Sequence, residues 1–412
     1  MYTVGRITIS GNELTKNYVI ENEMALHVGD MITHEAVDYT RERIYNLRLF
    51  TKVTINVLPD SADRATLLVQ VHERWYFYPF PVVGFKDRDF KKLYYGAGLI
   101  HNNVAGRNIL MYGQFALGYD PFVSVGYVDP LFGFKHQIFF STHVSYSEQR
   151  NKSLVSLQSG PNFDEKRLGA DVSLGKRYSL FSTITMTLEY LNLLVSDNRS
   201  GRTLSPGGRD EFFSLSASYR YDTRDLADYP RIGTFFAVGV SKIGIFNSVI
   251  DYQRYSVDFR RYIPVGSDVV IAGRVFTNLA EGGTVPNYGH VYFGYAERIR
   301  GHFKKILEGD QILGSSIEIH IPVIQPGYIH FNQIPIEQFR DFRYGLNFAL
   351  FADAGNTWYR SEPLALNRFS SGYGFGFHLI LAYSAVGRIE YGIPYGQNVT
   401  KGEIILDIGA AI

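Results

Sequence analysis

From residue 92 onward the chain alternates apolar and polar positions with period two. At 183–190 it reads Thr183-Ile184-Thr185-Met186-Thr187-Leu188-Glu189-Tyr190, with every even position apolar. At 213–221, Phe213, Leu215, Ala217, Tyr219 and Tyr221 interleave with Ser214, Ser216, Ser218 and Arg220. At 316–321, Ile317, Ile319 and Ile321 alternate with Ser316, Glu318 and His320. Period two is the signature of a strand with one apolar and one polar face. A soluble β-sandwich alternates too, but its strands usually run about five or six residues, whereas these run about ten to thirteen. Fifteen such segments are present: 92–102, 107–117, 120–130, 135–147, 166–176, 180–191, 211–221, 232–244, 250–262, 266–277, 311–323, 343–353, 372–383, 385–393 and 401–411. Long alternating strands without helical interludes predict a transmembrane β-barrel of about sixteen antiparallel strands, apolar outside and polar within. An even count takes the sixteenth strand from 152–158; 76–84 is a second candidate but reads better as the junction into the barrel. The uncharged stretch 370–387 reads as strand rather than helix, because Gly372, Gly374 and Gly376 alternate with Tyr373, Phe375 and Phe377.

Residues 1–75 follow a different pattern. A strand at 2–10 ends in Gly11-Asn12, helices are predicted at 15–27 and 34–48, and strands at 51–58 and 66–73 flank the polar turn Pro59–Asp63. Thr33 is placed to cap the second helix, with Ala36, Val37, Ile44 and Leu47 as its apolar stripe. The order β-α-α-β-β defines a small α+β domain at 1–75, ahead of a barrel at 76–412. Its core is modest, so it is expected to lean on the barrel mouth.

Composition agrees. There are 30 Tyr, 30 Phe and 40 Gly, as interface girdles and strand turns require. With 41 Lys+Arg against 40 Asp+Glu, no nucleic-acid partner is expected. The absence of cysteine excludes disulfides, thiolate metal sites and cysteine nucleophiles. The 11 His show no His-x-x-x-His spacing and there is no Gly-x-Ser-x-Gly elbow, so neither an enzyme, a metal nor another cofactor is expected. His143 and Ser145 share one strand face, which lumen lining explains. Met1-Tyr2-Thr3-Val4 enters a strand with no charged and apolar leader, as in a mature or trimmed exported chain.

Several motifs occur in a telling order. The N-terminal domain, with Leu49-Phe50-Thr51-Lys52-Val53 opening its second strand, resembles a POTRA domain. Asn102-Asn103-Val104-Ala105-Gly106-Arg107, Tyr127-Val128-Asp129-Pro130-Leu131-Phe132 and Tyr221-Asp222-Thr223-Arg224-Asp225 with Pro230 and Gly233 resemble segments of the BamA/TamA superfamily of outer-membrane insertases and translocases, a relative of the mitochondrial sorting-and-assembly pore. Ile299-Arg300-Gly301-His302, within the longest inter-strand stretch at 278–310, resembles that family's Val-Arg-Gly-aromatic loop tip. Phe351-Ala352-Asp353-Ala354-Gly355-Asn356-Thr357-Trp358 resembles its Phe-x-Asp-x-Gly-x-x-Trp, and five strands follow the loop. Departures are His302 for the aromatic, Gly294-Tyr295 for a glycine pair, a long 324–342 connection, Ile412 for a terminal Phe, and a single POTRA domain.

Alternation alone puts Glu318 on the inward face with Ser316 and His320, and Asp353 inward with Asn347. The resemblance implies that the loop folds into the lumen and that Arg300 meets Asp353, Glu318 or both. Phe351, Gly355 and Trp358 then support that lock, and Gly301 allows its tight tip. Gly409 is expected to kink the last strand and weaken the seam with the first. The implied function is insertion of β-barrel proteins, or movement of polypeptide, at that seam in the outer membrane, with the N-terminal domain in the periplasm. The partners implied are unfolded outer-membrane proteins or a secreted polypeptide, the lipid bilayer and periplasmic accessory proteins. The alternative is a single-passenger secretion pore, or the anchor of an enzyme domain upstream.

Overall fold

The computed structural model describes residues 2–86, 91–133, 138–247, 249–266, 268–302, 304–335, 340–381, 385–396 and 401–408. The N-terminal domain is built from β1 (Thr3–Ser10), α1 (Asn17–Glu21), α2 (His34–Tyr45), β2 (Phe50–Pro59) and β3 (Arg64–Glu73). β3 is central, parallel to β1 and antiparallel to β2. Gly11 ends β1 at φ +83°, where a Cβ would stand 2.0 Å from the Val71 carbonyl oxygen. The Thr33 side chain accepts the Ala36 N–H at 3.1 Å and caps α2, which buries Val37 and Ile44 against the sheet. α1 is five residues long rather than the thirteen expected over 15–27. Residues 22–32 run irregularly there and still bury Met24 and Leu26.

The alternating region forms one sixteen-stranded sheet. Its strands are β4 (Phe77–Phe85), β5 (Leu93–Val104), β6 (Ile109–Gly118), β7 (Phe122–Phe132), β8 (Ile138–Arg150), β9 (Asp164–Arg177), β10 (Ser182–Val195), β11 (Arg209–Asp222), β12 (Gly233–Ile245), β13 (Tyr252–Val265) and β14 (Val269–Gly282). A long loop carrying the short hairpin β15 (Val291–Phe293) and β16 (Leu307–Gly309) follows. The sheet then resumes with β17 (Gln311–His330), β18 (Asp341–Trp358), β19 (Ser370–Leu381), β20 (Ala385–Tyr395) and β21 (Glu403–Ile408). Each strand pairs antiparallel with its sequence neighbour, and β14 pairs directly with β17 across the loop. No described helix is long and apolar enough to cross a membrane. Outward residues such as Met186, Leu188, Leu215 and Phe377 are exposed. The opposite face is polar, as in the Ser173–Thr187 and Ser216–Ser241 hydroxyl pairs, both at 2.8 Å.

Three expectations are corrected. Residues 152–158 do not supply the sixteenth strand: Leu154–Gln158 is a short helix, α3, capped by the Ser153 hydroxyl accepting from Ser156 N. The sixteenth strand is β4, the second candidate, which the sequence favours as a junction. It carries Pro79 and Pro81, residues tolerated at a sheet edge because a missing N–H there faces no ladder partner. The 324–342 connection is also shorter than expected, since bulges carry β17 and β18 on to a His330–Asp341 pair.

The N-terminal domain and the barrel share a core. Val19, Ile44, Leu49 and Phe50 pack in one cluster with Leu131, Leu226, Tyr229, Ile380 and Val386. α2 docks on the β11–β12 turn, where Tyr39 donates to Thr223 O at 2.9 Å, and Asn46 bonds both Asp225 O and Ala227 N. The Tyr221–Asp225 motif thus has a local role: Asp222 holds Arg224 through two 2.9 Å bonds, and Asp225 accepts the N–H groups of Arg231 and Ile232. Glu42 pairs with Arg343 of β18 at 2.9 Å, adding a polar rim.

Asp225 makes this docking pH-sensitive. Burial pushes its carboxyl up to about 6; the neighbouring Glu42 carboxylate adds to this, and bonds from the Arg231, Leu226 and Ile232 N–H groups oppose it. A carboxyl raised above its ordinary value favours the folded form fully below about pH 4, and that contribution is lost as pH rises through about 6. Asp225→Asn, similar in shape and uncharged, should therefore flatten the loss of thermal stability between about pH 4 and pH 7. Superimposable pH profiles for wild type and variant would remove Asp225 as the source.

Candidate functional site

The loop between β14 and β17 turns inward because charged and aromatic residues along it find partners on the lumen wall. Its stem is tied at one side by Glu308. That carboxylate accepts from the Ser153 hydroxyl and Leu154 N at 2.6 Å and meets His290 Nδ1 at 2.7 Å, so α3 is held across the loop by its own N-terminus. Phe293 of the hairpin lies on bare wall: a Cβ on Gly355 would stand 2.3 Å from its ring, and one on Gly314 3.0 Å.

The tip is Arg300-Gly301, and Arg300 is buried, with 8% of its surface exposed. Its Nε and Nη2 donate to the two oxygens of Asp353 at 2.7 Å each, and its backbone N–H donates to the same carboxylate at 3.0 Å. Nη1 bonds Glu318 and also Glu390, the latter at 2.9 Å, and Nη2 reaches Ser316 Oγ at 2.9 Å. The guanidinium lies over the Phe351 ring, 3.8 Å from its centroid. Every donor of the fork meets an oxygen, the condition under which a buried charge is tolerated.

The strand ladder explains the convergence. Ser316, Asp353 and Gly372 lie in one row across β17, β18 and β19; Glu318, Phe351, Gly374 and Gly392 lie in the next; His320, Ala349, Gly376 and Glu390 follow. The glycines are the floor on which the tip rests. A Cβ on Gly372 would stand 2.0 Å from the Arg300 carbonyl oxygen, and one on Gly392 2.5 Å from Gly301 N. Gly301 has φ +93° and stands against Ile393 and Pro394 of β20. The tip is also held sideways, because Glu297 bonds Arg274 of β14 through two 3.0 Å contacts and Arg274 bonds Asp258 of β13. Nearby, His302 Nε2 meets Ser371 O at 3.0 Å.

The structure therefore brings Arg300, Gly301, Glu318 and Asp353 together, with Phe351 beneath them and Gly355 under the hairpin. Trp358 stands apart at the end of β18, opposite Gln311. Gly409 lies outside the described residues. Sequence reasoning missed Glu390 and the Glu297–Arg274 tie. Glu390 and Arg274 sit at inward positions of alternating segments and Glu297 on the loop itself, but no spacing rule links the wall positions to the loop residues they meet.

Comparison with known proteins decides the family: residues 103–404 match the Omp85 superfamily domain, and residues 2–74 match the POTRA domain described as surface antigen variable number repeat. The chain belongs to the Omp85 superfamily. It is 23% identical over 319 residues to the outer membrane protein assembly factor BamA of Nitratidesulfovibrio vulgaris, covering 73% of this chain and 37% of that relative, little more than a third of its length. Its fold is similar to BamA from Haemophilus ducreyi lacking POTRA domains 1–3 (TM-score 0.60, 17% identity, 99% of this chain and 84% of that one). It is likewise similar to CdiB from Escherichia coli (TM-score 0.62, 11% identity, 99% and 76%). As an Omp85 protein the barrel lies in the outer membrane, with the POTRA domain on the periplasmic side.

Removing Arg300 would leave three buried carboxylates facing one another, so Arg300→Ala should cost about 3–5 kcal/mol in loop docking. Arg300→Lys keeps the charge but loses the fork and the ring stacking, and should recover only part. Limited proteolysis of the loop at 294–306 reads both variants. Gly372→Ala should open the same segment by displacing the tip, without touching any charge. Wild-type protection in all three variants would contradict the account of the docking.

Proposed function

We propose that this Omp85 protein inserts β-barrel proteins into the outer membrane, or passes polypeptide across it, through the seam between β4 and β21. Residues 1–75 would receive substrate and residues 76–412 form the membrane unit. The observation that carries the reading is the edge strand β4, whose Pro79 and Pro81 have no N–H to give to a strand closing on that edge. A poorly paired edge presents N–H and C=O groups to which an incoming strand adds by β-augmentation.

In this reading Arg300, Glu318 and Asp353, with Glu390, act as a lock. They fix the loop to β17–β20, the four strands next to β21, and so hold that wall in one arrangement while the seam works. Phe351 and Gly355 shape the surface on which the loop lies. The role is electrostatic and positional, with no chemical step. The substrates are unfolded outer-membrane proteins, delivered with periplasmic accessory proteins.

The second reading, a secretion pore for one polypeptide, is favoured by two cavities of about 510 and 590 Å³ flanking the loop inside the barrel. Movement of the loop would join them into a path through the lumen.

A cysteine pair bridging β4 and β21 separates the readings, and the cysteine-free chain makes it clean. Oxidation should abolish assembly of other barrels and be reversed by reductant if the seam is the working site. Undiminished export with the seam closed would favour the pore. Depletion that leaves all other outer-membrane barrels at normal levels would sink the insertase reading. Arg300→Glu should impair complementation, with partial recovery when Asp353→Arg is added.

A further inference from the structure

Directly below the Arg300 site lies a second buried cluster, which shares Glu318 with the proposed lock and adds two histidines that the lock does not use. Glu318, His320 and His378 come from β17 and β19, and all three are buried, at 0%, 1% and 0% exposure. One ligating atom from each lies within 4.8 Å of the others. Sequence spacing did not suggest a metal, because Glu318 and His320 sit two apart on a strand and His378 is brought in by the sheet. We propose that these three side chains form a binding site for a borderline divalent transition ion of the Zn²⁺ type.

Four observations support it. The first is donor chemistry: two imidazoles and one carboxylate are the ligand set of many three-protein-ligand zinc sites, which leave one position for water. The second is an orphan: His320 Nδ1 is buried and has no hydrogen-bond partner among the described residues, although Nε2 meets Glu318 Oε2 at 2.6 Å. The third is charge. Asp353, Glu318 and Glu390 place three negative charges around the guanidinium of Arg300, and Arg388, opposite His378 in the ladder, is paired with the half-exposed Asp407. With both imidazoles neutral, a divalent ion would offset the excess negative charge of these buried carboxylates.

The fourth is the surrounding shell. Glu390 Oε1 stands 3.2 Å from His378 Nε2, the carboxylate–histidine arrangement that orients metal-binding imidazoles. Tyr229 stacks on His320 with centroids 4.7 Å apart, and its hydroxyl stands 3.1 Å from His378 Nδ1, the nitrogen it would give up to a bound ion. A cavity of about 690 Å³ between the POTRA domain and the barrel is lined by His320, Tyr229 and Asn347, which gives an ion a route from the periplasmic side. Glu318 serves both clusters, through Oε1 to Arg300 and Oε2 to His320. A bound ion would therefore hold Glu318 in place for the loop.

The test uses the full chain purified in detergent, stripped with chelator and titrated with Zn²⁺ or Co²⁺ at neutral pH. The expected result is one equivalent of Zn²⁺ per chain, together with visible Co²⁺ bands of a low-coordinate nitrogen-oxygen site. His320→Gln and His378→Gln should each weaken binding at least about tenfold, whereas His143→Gln, elsewhere on the lumen wall, should leave it unchanged. Gel mobility with and without heating checks that each variant barrel is folded. If a variant fails to fold, the wild-type Co²⁺ spectrum decides alone. Absence of binding, six-coordinate Co²⁺ bands only, or binding unchanged in folded His320→Gln and His378→Gln would overturn the site. So would titration of both imidazoles as cations in the stripped and the loaded protein alike, since protons would then supply the missing charge.

Discussion

The interior of this barrel is organised by the cost of burying one guanidinium. Arg300 can leave water only if each of its donors is met, and three carboxylates from three strands, with Ser316, meet them. That requirement reaches far beyond the pair itself. It sets which positions of β17, β18 and β20 must be acidic, demands an aromatic face at Phe351, and obliges the wall beneath the tip to be nearly free of side chains. An ordinary lumen, lined by water, would impose none of these conditions.

The glycines are the steric counterpart of the charges. Gly372, Gly374, Gly376 and Gly392 alternate with large outward residues, so the same strands are bulky toward lipid and flat toward the loop. Backbone approach of the tip to β19 and β20 then makes the contact close enough to exclude water, which strengthens every ion pair within it. Charge and flatness support one another, and neither would hold the loop alone.

Much of this was legible in the residues. Alternation located fifteen of the strands because period two survives wherever one face meets lipid and the other a polar lumen. It failed at 152–158, where Ser153, Leu154 and Ser156 imitate a strand; the Ser153 cap and the distant Glu308 instead pull the segment into a helical turn. It also undervalued β4, whose prolines look hostile to a sheet until the strand is seen to be an edge. Inward orientation of Glu318 and Asp353 followed from parity alone. Their meeting with Arg300 needed motif order, and Glu390 needed the folded ladder, since contacts across several strands leave no trace in local spacing.

The core shared by the POTRA domain and the barrel has a consequence for how the molecule comes apart. Tyr229 belongs to that core and also stacks on His320 in the lumen. Cutting the chain between the two units would split the one cluster that joins Leu131, Leu226, Tyr229 and Ile380 of the barrel to the core of the domain. Neither part would then be a closed folding unit in its own right. Unfolding should run as one cooperative transition, and the melting of the small soluble domain should report on the barrel interior.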